Sequence, residues 1–167
     1  MHWPRFAVLV LLATLIQKSW IDTIAVTDLR VTPDLLLIAM AFFAIRCSEK
    51  NAIITSFVLG FAADIAATGF SLGPLTISFG LFGTGLAYLH RLITIKKVSQ
   101  EAITIFAIGL CTGYLAWVLA RTAGQAPRPG GLGALIGTST YSAVLGPVLF
   151  LLLDWLMRIK SRRRGRK

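Results

Sequence analysis

Long apolar runs separated by short polar segments make up most of the chain. The runs predict six helices at about residues 6–24, 32–45, 51–68, 75–88, 102–119 and 132–157. Uninterrupted apolar helices of this kind are typical of segments that lie in a bilayer. The pattern therefore predicts an all-α, polytopic membrane helix bundle of about six transmembrane helices.

Several polar residues mark where these helices begin. Thr32, Pro33 and Asp34 suit a helix start, because threonine can cap, proline fits the first position and aspartate favours the positive end of the helix dipole. Residues 69–74 read as a tight turn before the fourth helix. The chain start resembles a signal peptide, but the stretch at 17–20 offers no small-residue cleavage site, so it is interpreted as a retained first helix.

Composition and charge support the membrane interpretation. The chain is 56% hydrophobic and 14% charged, more apolar than a soluble domain of 167 residues can bury. The net charge of +10 does not indicate nucleic-acid binding, since the basic residues lie between apolar runs and in the tail. We expect one transmembrane domain over 1–159 and a basic cytoplasmic tail over 160–167, close to anionic lipid.

The distribution of basic residues predicts an orientation. Six spans place both termini on one side, and thirteen Lys and Arg then fall on that side against four on the other. The positive-inside rule assigns the richer side to the cytoplasm of a bacterial inner membrane. Trp3 and Trp155 then lie at the inner interface, and Trp20 and Trp117 at the outer one, as an aromatic belt requires.

Asp64 is the residue that most demands an explanation, because a carboxylate inside a membrane helix is costly without a partner. Lys18 lies at a similar predicted depth. Asp64 is therefore expected either to pair with Lys18 or to bind the backbone of a neighbouring helix. The functional alternative is an ion or substrate site, although a single acidic residue makes a poor relay.

Other features point to packing rather than chemistry. Small residues recur at helical spacing in four of the predicted helices, which predicts close helix contacts within the bundle or with a partner's helix. Cys47 and Cys111 are interpreted as small packing residues. No catalytic, cofactor or metal motif is visible, so no catalytic, cofactor-binding or metal-binding residue is predicted and the protein is not expected to be an enzyme.

Four short motifs resemble those of the rod-shape-determining MreD family in order and spacing. They are Leu15-Ile16-Gln17, Pro33-Asp34-Leu35-Leu36-Leu37, Gly60-Phe61-Ala62-Ala63-Asp64 and Leu72-Gly73-Pro74-Leu75. The resemblance extends to about Arg91, and the last two helices match only in hydropathy. It adds Gln17, Pro33, Asp34, Gly60 and Gly73 to Asp64 and Lys18 as candidates for structural or partner-binding roles.

The resemblance implies a non-enzymatic scaffold of the bacterial elongation machinery. Such a protein would support rod shape and lateral peptidoglycan synthesis by binding an MreC-like membrane protein, together with the MreB cytoskeleton and peptidoglycan synthases. It also implies a fold similar to the substrate-binding subunits of energy-coupling-factor transporters, which makes a vitamin-type transporter subunit the alternative. The Ala-xxx-Ala motif of those subunits is absent from the first helix, where Ala7 is followed four residues on by Leu11.

Overall fold

The computed structural model describes residues 3–23, 33–67, 73–92, 98–124 and 131–157. These residues form six helices and no strand: α1 (Trp3–Thr23), α2 (Leu35–Arg46), α3 (Glu49–Ala66), α4 (Pro74–Leu92), α5 (Val98–Thr122) and α6 (Gly131–Met157). The prediction of an all-α helix bundle is confirmed. The tail at 160–167 lies outside the described residues.

The helix boundaries differ from the predicted ones where polar residues belong to a helix. Helix α5 is longer than the predicted 102–119 at both ends, and α4 continues to Leu92 rather than 88. Hydropathy marks only the apolar part of a helix, whereas backbone hydrogen bonding continues through its polar ends. The start of α2 was predicted wrongly, because Pro33 precedes the helix and Asp34 is its N-cap.

Helix α2 is the central helix of the bundle. It contacts all five other helices, and every residue from Leu36 to Ile45 is buried. Phe42 and Phe43 are fully buried there, with edge-to-face ring contacts to Phe150 of α6 and Phe6 of α1, respectively. Aromatic rings in this arrangement gain electrostatic as well as dispersion energy. The core of the protein is therefore built around α2.

The outer helices expose large apolar side chains and bury small polar ones. Leu151 and Trp155 are 73% and 79% exposed, whereas Asp64 is 3% exposed and Ser142 is fully buried. Water would disfavour this distribution, because soluble monomers rarely present such extensive apolar surface. Hydrocarbon favours it, since apolar side chains are solvated by lipid and buried polar groups find partners inside.

Two stretches of the described residues are long and apolar enough to cross a membrane individually, namely Gln100–Thr122 and Gly133–Trp155. Helix α2, at 12 residues, is about 18 Å long and shorter than a hydrocarbon core of about 30 Å. Its burial on all sides explains how so short an apolar helix is accommodated.

Pro147 lies inside α6 without ending it.

Candidate functional site: the aspartate end of the bundle

One end of the bundle carries most of the sequence-predicted candidate residues. Helices α1 and α3 end there and helices α2 and α4 begin there, since Gln17 near the end of α1 bonds Asp34 and Asp64 near the end of α3 bonds Gly73. We call it the aspartate end, after Asp34 and Asp64. Four of the candidate residues, Gln17, Asp34, Asp64 and Gly73, are joined there by hydrogen bonds in two separate groups.

Asp64 binds the first turn of the neighbouring helix α4. One carboxylate oxygen, Oδ2, accepts hydrogen bonds from the backbone N–H of Gly73 and Thr76, each at 2.9 Å, and from the Thr76 hydroxyl at 2.6 Å. The other oxygen, Oδ1, accepts from the backbone N–H of Leu75 at 3.0 Å. Four donors therefore compensate for the burial of this carboxylate.

The sequence at the start of α4 explains why the carboxylate comes from another helix. Gly73 accepts the first intrahelical bond, from Ile77, and so stands at the N-cap position, but it has no side chain with which to cap. Pro74 fits the first helical position, where a missing N–H costs nothing. Asp64 takes the place of the capping side chain and places negative charge at the positive end of the helix dipole.

Gly73 itself requires glycine at this turn. Its φ of +134° lies in a region that other L-residues rarely adopt. This backbone conformation accompanies the orientation of the Gly73 N–H toward Asp64 Oδ2. The motif Leu72-Gly73-Pro74-Leu75 is thus a helix start whose cap is supplied from α3.

The sequence left two structural alternatives for Asp64, and the geometry corresponds to the second, a carboxylate that binds a neighbouring helix's backbone. The side chain of Lys18 lies outside the described residues, so the predicted Asp64–Lys18 pair stays a prediction.

Gly60 permits the close approach of α3 and α4 that this cap needs. A Cβ atom at Gly60 would lie 2.8 Å from the Thr76 Cα and 2.9 Å from the Leu75 carbonyl oxygen. Both are backbone atoms of the turn that Asp64 binds, so they cannot move aside as a flexible side chain would. Gly60 and Asp64, four residues apart on one helix face, therefore act on the same turn of α4.

The second aspartate, Asp34, joins three helices. Its carboxylate Oδ1 accepts from the backbone N–H of Leu37 at 3.0 Å, the usual N-cap bond, and from Nε2 of Gln17 in α1 at 3.1 Å. The Asp34 backbone N–H donates to the hydroxyl of Ser142 in α6 at 2.9 Å. Gln17 and Asp34 are thus brought together, and Pro33 is buried beside them.

Sequence reasoning missed two sets of residues. Ser142 ends a run of hydroxyl-bearing residues at 138–142, and nothing in that run indicates which of them binds another helix. At the opposite end, Arg46 of α2 lies 2.9 Å from Asp154 of α6 and 3.7 Å from Glu101 of α5. Arg158, four residues after Asp154 and so at the spacing of a helical ion pair, lies outside the described residues.

The two cysteines differ in their exposure. Cys47 is half-buried against the core, and burial raises the pKa of its thiol, which keeps it in the unreactive neutral form. Cys111 is exposed on α5, so its interpretation as a packing residue within the bundle is wrong. Among the described residues, no three His, Cys, Asp or Glu side chains are grouped so that they could hold a metal ion.

Comparison with known proteins gives one result. No curated protein and no solved structure shows a significant match to the chain. The similarity of fold to transporter substrate-binding subunits therefore stays a prediction. A protein-family model described as rod shape-determining protein MreD matches residues 1–159 of the 167, which includes the regions of α5 and α6 that the motifs did not reach. The chain therefore belongs to the MreD family of rod shape-determining membrane proteins.

Proposed function

We propose that this protein is a non-enzymatic scaffold that binds an MreC-like membrane protein and so supports lateral peptidoglycan synthesis. The observation that carries the proposal is the family match over residues 1–159, since the family determines rod shape. The MreB cytoskeleton and peptidoglycan synthases complete the proposed set of partners, and nucleic acid is not among them.

The form of the bundle supports a binding role. The buried carboxylate of Asp64 is occupied by four donors of its own chain, an arrangement that fixes a helix rather than one that awaits a substrate. The outer helices present broad apolar faces, including Ile103 and Val144, which are 67% and 68% exposed. Faces of this kind suit contact with lipid and with another membrane helix.

Asp34 and Asp64 fix the helix starts at one end of the bundle, and with them the positions from which the connecting segments emerge. In the proposed scaffold, these segments and a helix face together form the partner-binding surface. Gln17, Asp34, Gly60, Asp64 and Gly73 would then support binding through positioning, without touching the partner.

Co-purification tests the proposal. The tagged protein is extracted in mild detergent from cells that also produce the MreC-like protein, and the partner is quantified in the eluate. We expect the partner to be retained by the wild type and by a control variant on the lipid face, Ile65→Leu, because Ile65 is 51% exposed. Absence of the partner from both eluates, with both proteins present in the membrane, would contradict the scaffold.

The proposed topology has six spans with both termini in the cytoplasm. The excess of basic residues on the side of the tail supports it. A reporter that is active only in the cytoplasm, fused after Lys167, is expected to be active, and a periplasm-active reporter at the same position is expected to be silent. The reverse result would mean that the number of spans is odd, with α1 the first helix to re-examine.

The basic tail at 160–167 is proposed to lie against anionic lipid of the inner leaflet. Each basic side chain beside such a surface contributes about 1 kcal/mol of attraction, which salt screens. The tail would therefore reinforce the orientation of a bundle that folds without it.

A transporter subunit is the alternative function. The structural feature that a solute could contact is the half-buried Asp34 carboxylate together with the Gln17 amide that donates a hydrogen bond to it. Tight binding of a vitamin to the purified protein, combined with normal cell shape after its depletion, would favour the transporter over the scaffold.

A further inference from the structure

Helix α5 carries two aromatic rings and a cation on one face near its end. Tyr114 and Trp117 are stacked with their ring centroids 6.1 Å apart, and the guanidinium carbon of Arg121 lies 4.6 Å from the centroid of the Trp117 ring. Spacings of three and four residues place the three side chains on successive turns of the same helix face. We call Tyr114, Trp117 and Arg121 the aromatic–arginine ladder.

The ladder ends at the level where the polar head groups of a membrane lie. At the start of α5, Glu101 lies beside Arg46 in the ion-paired group opposite the aspartate end. Arg121 lies 20 residues farther along α5, which is about 30 Å at the rise of an α-helix and equals the thickness of a hydrocarbon core. If the ion pairs lie at one interface, Arg121 lies at the other, on the side of the aspartate end.

Arg121 has a charge that the described residues do not neutralise. Its side chain is exposed, and both ion pairs found among those residues belong to Arg46. The Trp117 ring attracts the positive charge but supplies no acceptor for the five N–H donors of the guanidinium. An arginine positioned in this way suits an acceptor that takes two N–H bonds at once, such as a phosphate.

The same face of α5 continues away from Arg121 as an apolar surface. Tyr114 and Ile103 are 56% and 67% exposed, and the exposed residues between them on this face, Ala107 and Cys111, are small. Small side chains between two large ones allow a flexible hydrocarbon chain to lie close to the helix. A charged group and an apolar surface therefore follow one another along α5, as the head group and the acyl chain do in a lipid.

We propose that the aromatic–arginine ladder binds an anionic phospholipid, with the phosphate on Arg121 and an acyl chain along the exposed face of α5. Charge complementarity selects the lipid, because its phosphate neutralises Arg121 and no second cation accompanies it. A zwitterionic lipid brings an ammonium group that Arg121 repels, and Arg121 already lies over the ring of Trp117 that could attract it. This site lies on α5, far along the chain from the basic tail.

Fluorescence of Trp117 tests the proposal. The full-length protein is purified without its partner, so the result is independent of the scaffold proposal, and Trp3, Trp20 and Trp155 are replaced with phenylalanine so that only Trp117 emits. The protein is placed in vesicles of phosphatidylcholine. Increasing fractions of phosphatidylglycerol or of phosphatidylcholine with brominated acyl chains are then added, because bromine quenches a tryptophan that it contacts.

We expect phosphatidylglycerol to occupy the site with about fivefold higher affinity than phosphatidylcholine, which is the effect of one basic side chain beside anionic lipid. Arg121→Gln should abolish this preference. Arg121→Lys keeps the charge without the paired donors, so it should lower the preference, and it serves if Arg121→Gln does not fold. Lys50→Gln is the matched control, because it removes one exposed positive charge at the other end of the bundle, and it should keep the full preference.

Equal quenching of Trp117 by the two lipids would overturn the proposal. So would a preference for phosphatidylglycerol that is undiminished in the Arg121 variants, since it would then come from the overall charge of the protein. Absence of quenching by either lipid would also overturn it and would mean that a second copy of the chain covers this face of α5.

Discussion

Replacing Asp64 with leucine is expected to lower the free energy of unfolding by roughly 3–5 kcal/mol, because four donors at the start of α4 lose their acceptor together. Asp64→Asn should lower the free energy of unfolding by less than Asp64→Leu does. An amide oxygen at the Oδ2 position keeps three of the four bonds, while its NH₂ group meets the Leu75 N–H. The predicted order of stability is wild type, then asparagine, then leucine, as measured by unfolding of the purified protein in micelles.

This order of stability distinguishes a capping role of Asp64 from a role that requires its negative charge. A site that depends on the charge itself would make the asparagine and leucine variants equally defective. Ile65→Leu, at the adjacent lipid-facing position, is expected to have the same free energy of unfolding as the wild type. If Asp64→Leu were as stable as Ile65→Leu, the cap would contribute nothing and the role of Asp64 in positioning α4 would be wrong.

Gly60→Ala is expected to lower the free energy of unfolding by roughly 1–3 kcal/mol, and Gly60→Val by more. The added Cβ would lie 2.8 Å from the Thr76 Cα, so α4 would have to move away from α3. That movement would also weaken the bonds from Leu75 and Thr76 to Asp64. Gly60→Ala and Asp64→Leu should therefore be less than additive when combined.

Gly85→Ala is the matched control for Gly60→Ala. Gly85 lies on the exposed face of α4, and apart from the adjacent residues and the local helix backbone no atom lies within 4 Å of the position of its Cβ. Alanine there should be neutral or stabilising by up to about 1 kcal/mol, because it is the better helix former. Equal losses at Gly60 and Gly85 would show that glycine matters for flexibility at both sites rather than for the close approach of α3 and α4.

The all-α bundle and most of its helix boundaries could be predicted, because lipid imposes long apolar helices that are readable as runs in the sequence. Asp64 could be singled out for the same reason, since a carboxylate in an apolar run needs a partner. The identity of that partner could not be read from local pattern. Asp64 binds the turn nine to twelve residues later, and only the packing of α3 on α4 brings the two together.

The central position of α2 could not be predicted from the sequence either. Its residues look like those of any other apolar run, and burial on every side depends on how five other helices surround it. The contact of Asp34 with Ser142 spans 108 residues, and the ion pair of Arg46 with Asp154 also joins distant segments. Helical periodicity relates neighbours three and four residues apart, so it carries no information about such pairs.

The claim that this protein acts in rod-shape determination is tested most directly by cell width after depletion from its own host. We expect depleted cells to widen and round up, and to regain the rod form with the wild-type gene or the Gly85→Ala variant. The Asp64→Leu variant should restore it poorly, to the extent that the bundle is destabilised. Rods of unchanged width after complete depletion would contradict the account.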